Sequence, residues 1–179
     1  MIMPRDSINS LRNLSGFTLI EILITLSIMS VLSLFGIISY REFNQSKIID
    51  SAGHQVQDVL ILARSRANTQ VKPAVTACSE ELEGRELYGY KVSFCSDNCA
   101  TTQNFDISVL CGASGEYSQK IGNSYILPQG VTFTSSLPQS VVFKVLTGDV
   151  IGAQEIQISG YGASRVVSIS QTGVISVTE

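Results

Sequence analysis

The sequence predicts an α+β fold, in which one long amino-terminal helix packs against an antiparallel β-sheet head. Three observations lead there. Residues 17–40 form an apolar run whose only charge is Glu21. Apolar residues then recur at three- and four-residue steps as far as Ala67, the spacing of a single helix face. Beyond Pro73 the pattern becomes short β-branched and aromatic runs separated by glycine, proline and asparagine turns, which reads as strands.

The first element is a polar leader, residues 1–16, in which Arg5 and Arg12 outnumber Asp6; such a segment stays cytoplasmic. From Phe17 to Tyr40 the run is about 24 residues, enough to cross roughly 30 Å of hydrocarbon as a helix. A secretory signal puts small residues after its apolar segment. Here Gly16 precedes the segment and nothing near Ser39 or Tyr40 resembles a cut site, so the helix is expected to survive processing. The competing readings are an unprocessed single-span anchor and a cleaved secretory signal. A carboxylate in lipid costs roughly 2.5–3.5 kcal/mol on insertion scales. Glu21 therefore calls for a positive charge on another chain, or for snorkelling near the helix start.

Residues 41–72 read as an amphipathic continuation of the same helix. Arg41, Glu42 and Lys47 mark the exit from lipid, and Ile49, Ala52, Val56, Val59, Leu60, Ala63 and Ala67 supply one apolar stripe. One helix from Phe17 to about Gln70 is expected, with Gly36 and Gly53 as soft points and Pro73 as its stop. The head, residues 73–179, is expected to hold strands at Val75–Cys78, Leu87–Phe94, Asp106–Leu110, Ser124–Leu127, Val131–Thr134, Ser140–Val145, Glu155–Ser159, Arg165–Ser170 and Val174–Val177. Gly122-Asn123, Pro128-Gln129-Gly130, Gly148-Asp149 and Thr172-Gly173 are among the turns, the last closing a hairpin.

The net charge is −3, and removing Arg5, Arg12 and Asp6 leaves 10 basic against 14 acidic side chains. That balance argues against a general polyanion-binding surface. The four cysteines, Cys78, Cys95, Cys99 and Cys111, fit an oxidising compartment. They allow three connectivities and the sequence does not choose among them; Cys95 with Cys99 and Cys78 with Cys111 is the favoured pairing. Zinc is the alternative, but Cys78 and Cys111 do not form a second close pair, so no metal is expected. The acidic residues Glu80, Glu81, Glu83 and Glu86 lack the spacing of a calcium loop. The single histidine, His54, stands among polar neighbours, and no catalytic motif is present; Gly112-Ala113-Ser114-Gly115 misses the nucleophile-elbow pattern by a residue. No enzyme activity and no cofactor are expected.

The hexapeptide Gly16-Phe17-Thr18-Leu19-Ile20-Glu21 resembles the processing site of type IV prepilins and of type II secretion pseudopilins. The resemblance covers roughly residues 1–45. It implies a type IV pilin-like chain, cut after Gly16 by the prepilin peptidase and methylated at the new amino terminus, Phe17. It also implies that Glu21, then the fifth residue, pairs with a neighbouring subunit's amino terminus during assembly. Opposite charges at about 4 Å attract by roughly 4 kcal/mol at an effective dielectric of 20, enough to offset the lipid cost. The implied partners are other pilin or pseudopilin subunits and an inner-membrane assembly platform, with the head in the periplasm.

A narrower resemblance rests on Leu60–Ala67, Leu127-Pro128-Gln129-Gly130-Val131 and the closing Arg165…Gly173-Val174-Ile175-Ser176-Val177. Their order is similar to the GspH/FimT branch of minor pseudopilins and pilins, which implies a low-copy subunit at or near a filament tip. In that segment Arg64 and Arg66 are expected to face outward. Some members bind DNA in transformation through a Gly-Arg-x-Arg stretch. The matching Gly162-Ala163-Ser164-Arg165 keeps only the last arginine, so nucleic-acid binding at Arg165 is the alternative rather than the expectation.

Overall fold

The computed structural model describes residues 16–79, 85–95, 103–134 and 139–178, and within them no side chain at 34–36, 38 or 77. The chain divides into two units, residues 1–42 and 43–179. The division falls inside α1 (Leu19–Asn68), the one α-helix among the described residues, so the amphipathic half of the helix belongs with the head.

In the first unit α1 opens on Thr18. Its hydroxyl oxygen accepts from the Glu21 N–H at 3.3 Å, and its carbonyl accepts from the Ile22 N–H at 3.3 Å. Thr-x-x-Glu is the capping-box spacing, and Glu21 sets negative charge at the positive end of the helix dipole. Hydroxyls farther along turn back onto their own helix: Thr25 donates to the Ile22 carbonyl at 3.0 Å, Ser27 to Leu23 at 2.7 Å, Ser30 to Leu26 at 2.8 Å and Ser33 to Met29 at 2.7 Å. These hydroxyls therefore need no water, as an apolar environment demands. Every described side chain from Phe17 to Tyr40 is exposed.

In the second unit the predicted stripe is buried in full, with Ile49, Ala52, Val56, Leu60, Ala63 and Ala67 inaccessible and Val59 nearly so. Gly53 lies on this face, where an added Cβ would stand 3.2 Å from Val177 Cγ1. It serves close approach of a strand to the helix rather than bending. Pro73 does not end α1, contrary to expectation. Gln70 takes a φ of 52°, its N–H donates to the Ala67 carbonyl at 3.2 Å and the Val71 N–H to the Arg66 carbonyl at 3.3 Å. This paired closure terminates the helix before the proline is reached.

Nine strands follow among the described residues: β1 (Leu87–Phe94), β2 (Asn104–Cys111), β3 (Tyr117–Ile126), β4 (Val131–Phe133), β5 (Gln139–Lys144), β6 (Val150–Gly152), β7 (Glu155–Gly160), β8 (Ala163–Ile169) and β9 (Ile175–Thr178). They make two antiparallel sheets where one was expected, ordered β3-β2-β1-β5-β6 and β4-β7-β8-β9. One core joins both sheets and the helix stripe. Phe133 of β4 sets its ring edge-on to Phe94 and Phe105 of the other sheet, with centroids 5.4 and 6.0 Å away. The α+β arrangement predicted from sequence is the observed one, and β8–β9 is the expected hairpin.

Three strand assignments are corrected. Val75–Cys78 is not a strand; Thr76–Cys78 is a 3-10 turn. The strand expected at Ser124–Leu127 begins at Tyr117, and Gly122-Asn123, expected as a turn, lies within it. Gly122 has a φ of 73° and the register against β2 shifts there, which is a bulge. Strand β6 was not expected at all.

Candidate processing and assembly site

The six residues that open the apolar run are placed by the start of α1. Gly16, Phe17 and Thr18 precede the helix, and the Phe17 side chain is 81% exposed. Among the described residues nothing lies within 4 Å of where a Cβ on Gly16 would stand. Glu21 sits one turn into the helix, exposed, where Thr18 anchors its backbone. Read from sequence as an acid paired in lipid or snorkelling near the helix start, Glu21 also holds a capping position, of which the Thr-x-x-Glu spacing was the available sign.

Among the described residues no helical stretch is long and apolar enough to cross a membrane. The stretch described with side chains, 19–33, stops short of the roughly 20 residues a crossing needs. The apolar sequence itself continues through Leu34, Phe35 and Ile37.

The remaining candidates lie in the head. Arg165 is held there: its Nε donates to Asp50 Oδ1 at 2.8 Å and its Nη1 to the Ser164 carbonyl at 2.9 Å, with only 12% of the side chain exposed. The hydrogen bond from Arg165 lowers the Asp50 pKa below its ordinary value, outweighing the opposing effect of burial; Lys47, 3.6 Å away, adds to the lowering. An arginine so engaged offers little to a phosphate. Arg64, expected to face solvent, reaches the carboxy-terminal hairpin and donates to the Thr172 carbonyl at 2.9 Å, while Gln57 donates to the Ile175 carbonyl at 3.2 Å.

Cys78 and Cys111 form a disulfide that ties the 3-10 turn to the end of β2, with Cα atoms 5.5 Å apart. Cys95 is also disulfide-bonded. Cys99 lies outside the described residues, as do Glu80, Glu81 and Glu83. Among the described residues no group of three or more metal-ligating side chains occurs. His54 is exposed, with Nδ1 3.1 Å from Gln57 Oε1.

Residues 11–37 match the family profile of the prokaryotic N-terminal methylation motif. The chain carries a prepilin-type motif. That motif implies peptidase processing, inner-membrane anchoring and pilin assembly. With the long helix and antiparallel sheets behind it, it makes this a type IV pilin- or pseudopilin-like chain, of a kind that is structural and typically non-enzymatic. No curated protein and no solved structure matches the chain.

Proposed function

We propose that the protein is a minor pilin or pseudopilin, a structural subunit at or near the tip of a type IV pilus or type II secretion pseudopilus. The observation that carries this reading is the methylation motif set on a helix whose first half is apolar and exposed at every described side chain, while its continuation buries one stripe in the core of the head. The exposed half spans the inner membrane in a single pass and keeps the head in the periplasm. Prepilin peptidase cuts after Gly16 and Phe17 is methylated. The freed ammonium of one subunit then meets Glu21 of another, fixing the register as the apolar helices pack. The sequence similarity to the GspH/FimT branch supports the minor, low-copy role. DNA uptake is the lesser reading, because its one candidate arginine, Arg165, is engaged with Asp50.

Gly16→Ala tests the cut. Since no contact among the described residues depends on that glycine, the variant should fold as the parent does and accumulate with a mass larger by the leader, measured on the intact protein. A parent chain purified from assembled fibres that still begins at Met1 would remove the proposal.

A further inference from the structure

The outer face of the five-stranded sheet carries two cations that nothing among the described residues balances. Tyr90 and Val92 of β1 point into the core, so Lys91 points away from it; Val141 and Phe143 of β5 do the same for Lys144. The register sets Lys91 opposite Val142 and Lys144 opposite Gly89. The two lysines are therefore diagonal neighbours, about 7–8 Å apart at the backbone. Both side chains are half-buried, and among the described residues neither has a carboxylate within ion-pair distance. Lys120, on the same face, is held by Asp106 at 2.8 Å. The Lys144 ammonium stands instead 5.5 Å from the centre of the Tyr88 ring.

Beside this pair opens a cleft of about 430 Å³, whose lining includes Tyr88, Ala113, Lys144, Leu146 and Thr147. Glu86 lines it too, beyond ion-pair reach of either lysine. At the rim the Thr147 N–H donates to the Val145 carbonyl at 2.8 Å across Leu146, whose φ is 68°. A γ-turn with its central residue at positive φ is rare and strained, and strain of this kind collects at binding sites. Its product is a leucine 82% exposed, the most exposed large apolar side chain among the described residues of the head. Ile151 of β6, opposite Val142 on the outer face and 45% exposed, extends the apolar surface.

We propose that this face docks an acidic segment of a partner polypeptide, its carboxylates balancing Lys91 and Lys144 and an aliphatic side chain filling the cleft beside Leu146. A nucleic acid suits the face less well. Two cations neutralise few phosphates, and phosphate binding scales with that number, whereas an exposed leucine has no counterpart on a phosphate backbone. The proposal stands independently of the filament reading, because peptide binding by this face requires no assembly.

The test uses the full-length chain in detergent micelles, titrated with a fluorescent peptide of alternating Glu and Leu and followed by anisotropy. Saturable binding is expected, weakening about tenfold between 50 and 500 mM salt. Lys91→Gln with Lys144→Gln should weaken it about tenfold again, and Leu146→Gly severalfold. A peptide with Lys in place of Glu should not bind. Thermal melting checks the fold: relieving a like-charge pair should leave the melting temperature unchanged or raised. Absence of saturable binding, equal binding of the lysine peptide, indifference to the double substitution, a lowered melting temperature in it, or tighter binding of a single-stranded oligonucleotide would each overturn the proposal.

Discussion

The two halves of α1 obey the same helical geometry in opposite surroundings. From Leu19 to Ser33 every side chain is exposed, including leucines, isoleucines and a methionine. From Ile49 to Ala67 a single stripe is sealed against two sheets. The second half has found its partner within the chain; the first half has none among the described residues, and apolar exposure on that scale marks a surface meant for lipid or other proteins. One kind of substitution separates the two. Leu60→Ala, on the sealed stripe, should cost the head about 2–5 kcal/mol in chemical denaturation. Leu26→Ala, 59% exposed, should leave that stability unchanged. Equal losses would mean that the first half is also packed within the chain.

Glu21→Ala probes the unpartnered half more sharply. The variant should be processed and inserted normally, yet enter filaments several times less often, measured as incorporated against membrane-resident protein. Loss of the acid from the first helical turn should cost only about 0.3–1 kcal/mol of helix stability, too little to explain failed assembly through fraying. Normal incorporation would leave Glu21 with its capping position alone.

The buried stripe was legible in the sequence because burial of one helix face imposes a three- and four-residue period over many turns. The processing motif was legible because it is local: a peptidase reads neighbouring residues, so chain order is enough. What escaped reading was non-local or edge-exposed. Tyr117–Lys120 lie on an edge strand in which both faces are partly wet, so they carry no apolar alternation. Strand β6 spans three residues, too few for any period. Thr76–Cys78 has strand-like residues, but the disulfide to Cys111 places them in a tight turn. The pairing of Arg165 with Asp50 bridges 115 residues and two elements, and nothing around Gly162-Ala163-Ser164-Arg165 announces it.

That pair is where the sealed half can be loosened without touching its apolar core. Asp50→Asn should destabilise the head by about 1–3 kcal/mol, because it replaces a charged hydrogen-bond partner of a largely buried guanidinium with a neutral one. Processing and membrane insertion should be untouched, since both depend on the other half. Altered processing would show that the two halves are coupled.

The smallest expected effect concerns pH. The Asp50 carboxyl is held below its ordinary pKa by the Arg165 hydrogen bond, so the folded state binds this proton less readily than the unfolded chain does. The stability it contributes is fully present above the ordinary carboxylate value of about 4 and is lost as pH falls through the lower folded value. Nearly a third of the Asp50 side chain is exposed, so solvent screening holds the contribution to at most about 1 kcal/mol. Other carboxylates titrate in the same range, and the informative quantity is the gap between parent and Asp50→Asn. That gap should be constant from neutral pH down to about 5 and narrow below about 4, as the parent's carboxylate is protonated and the two chains come to carry equally neutral groups opposite Arg165. A gap that stays constant to pH 2 would mean that the charge on Asp50 contributes nothing, and that the loss in Asp50→Asn comes from altered hydrogen bonding instead.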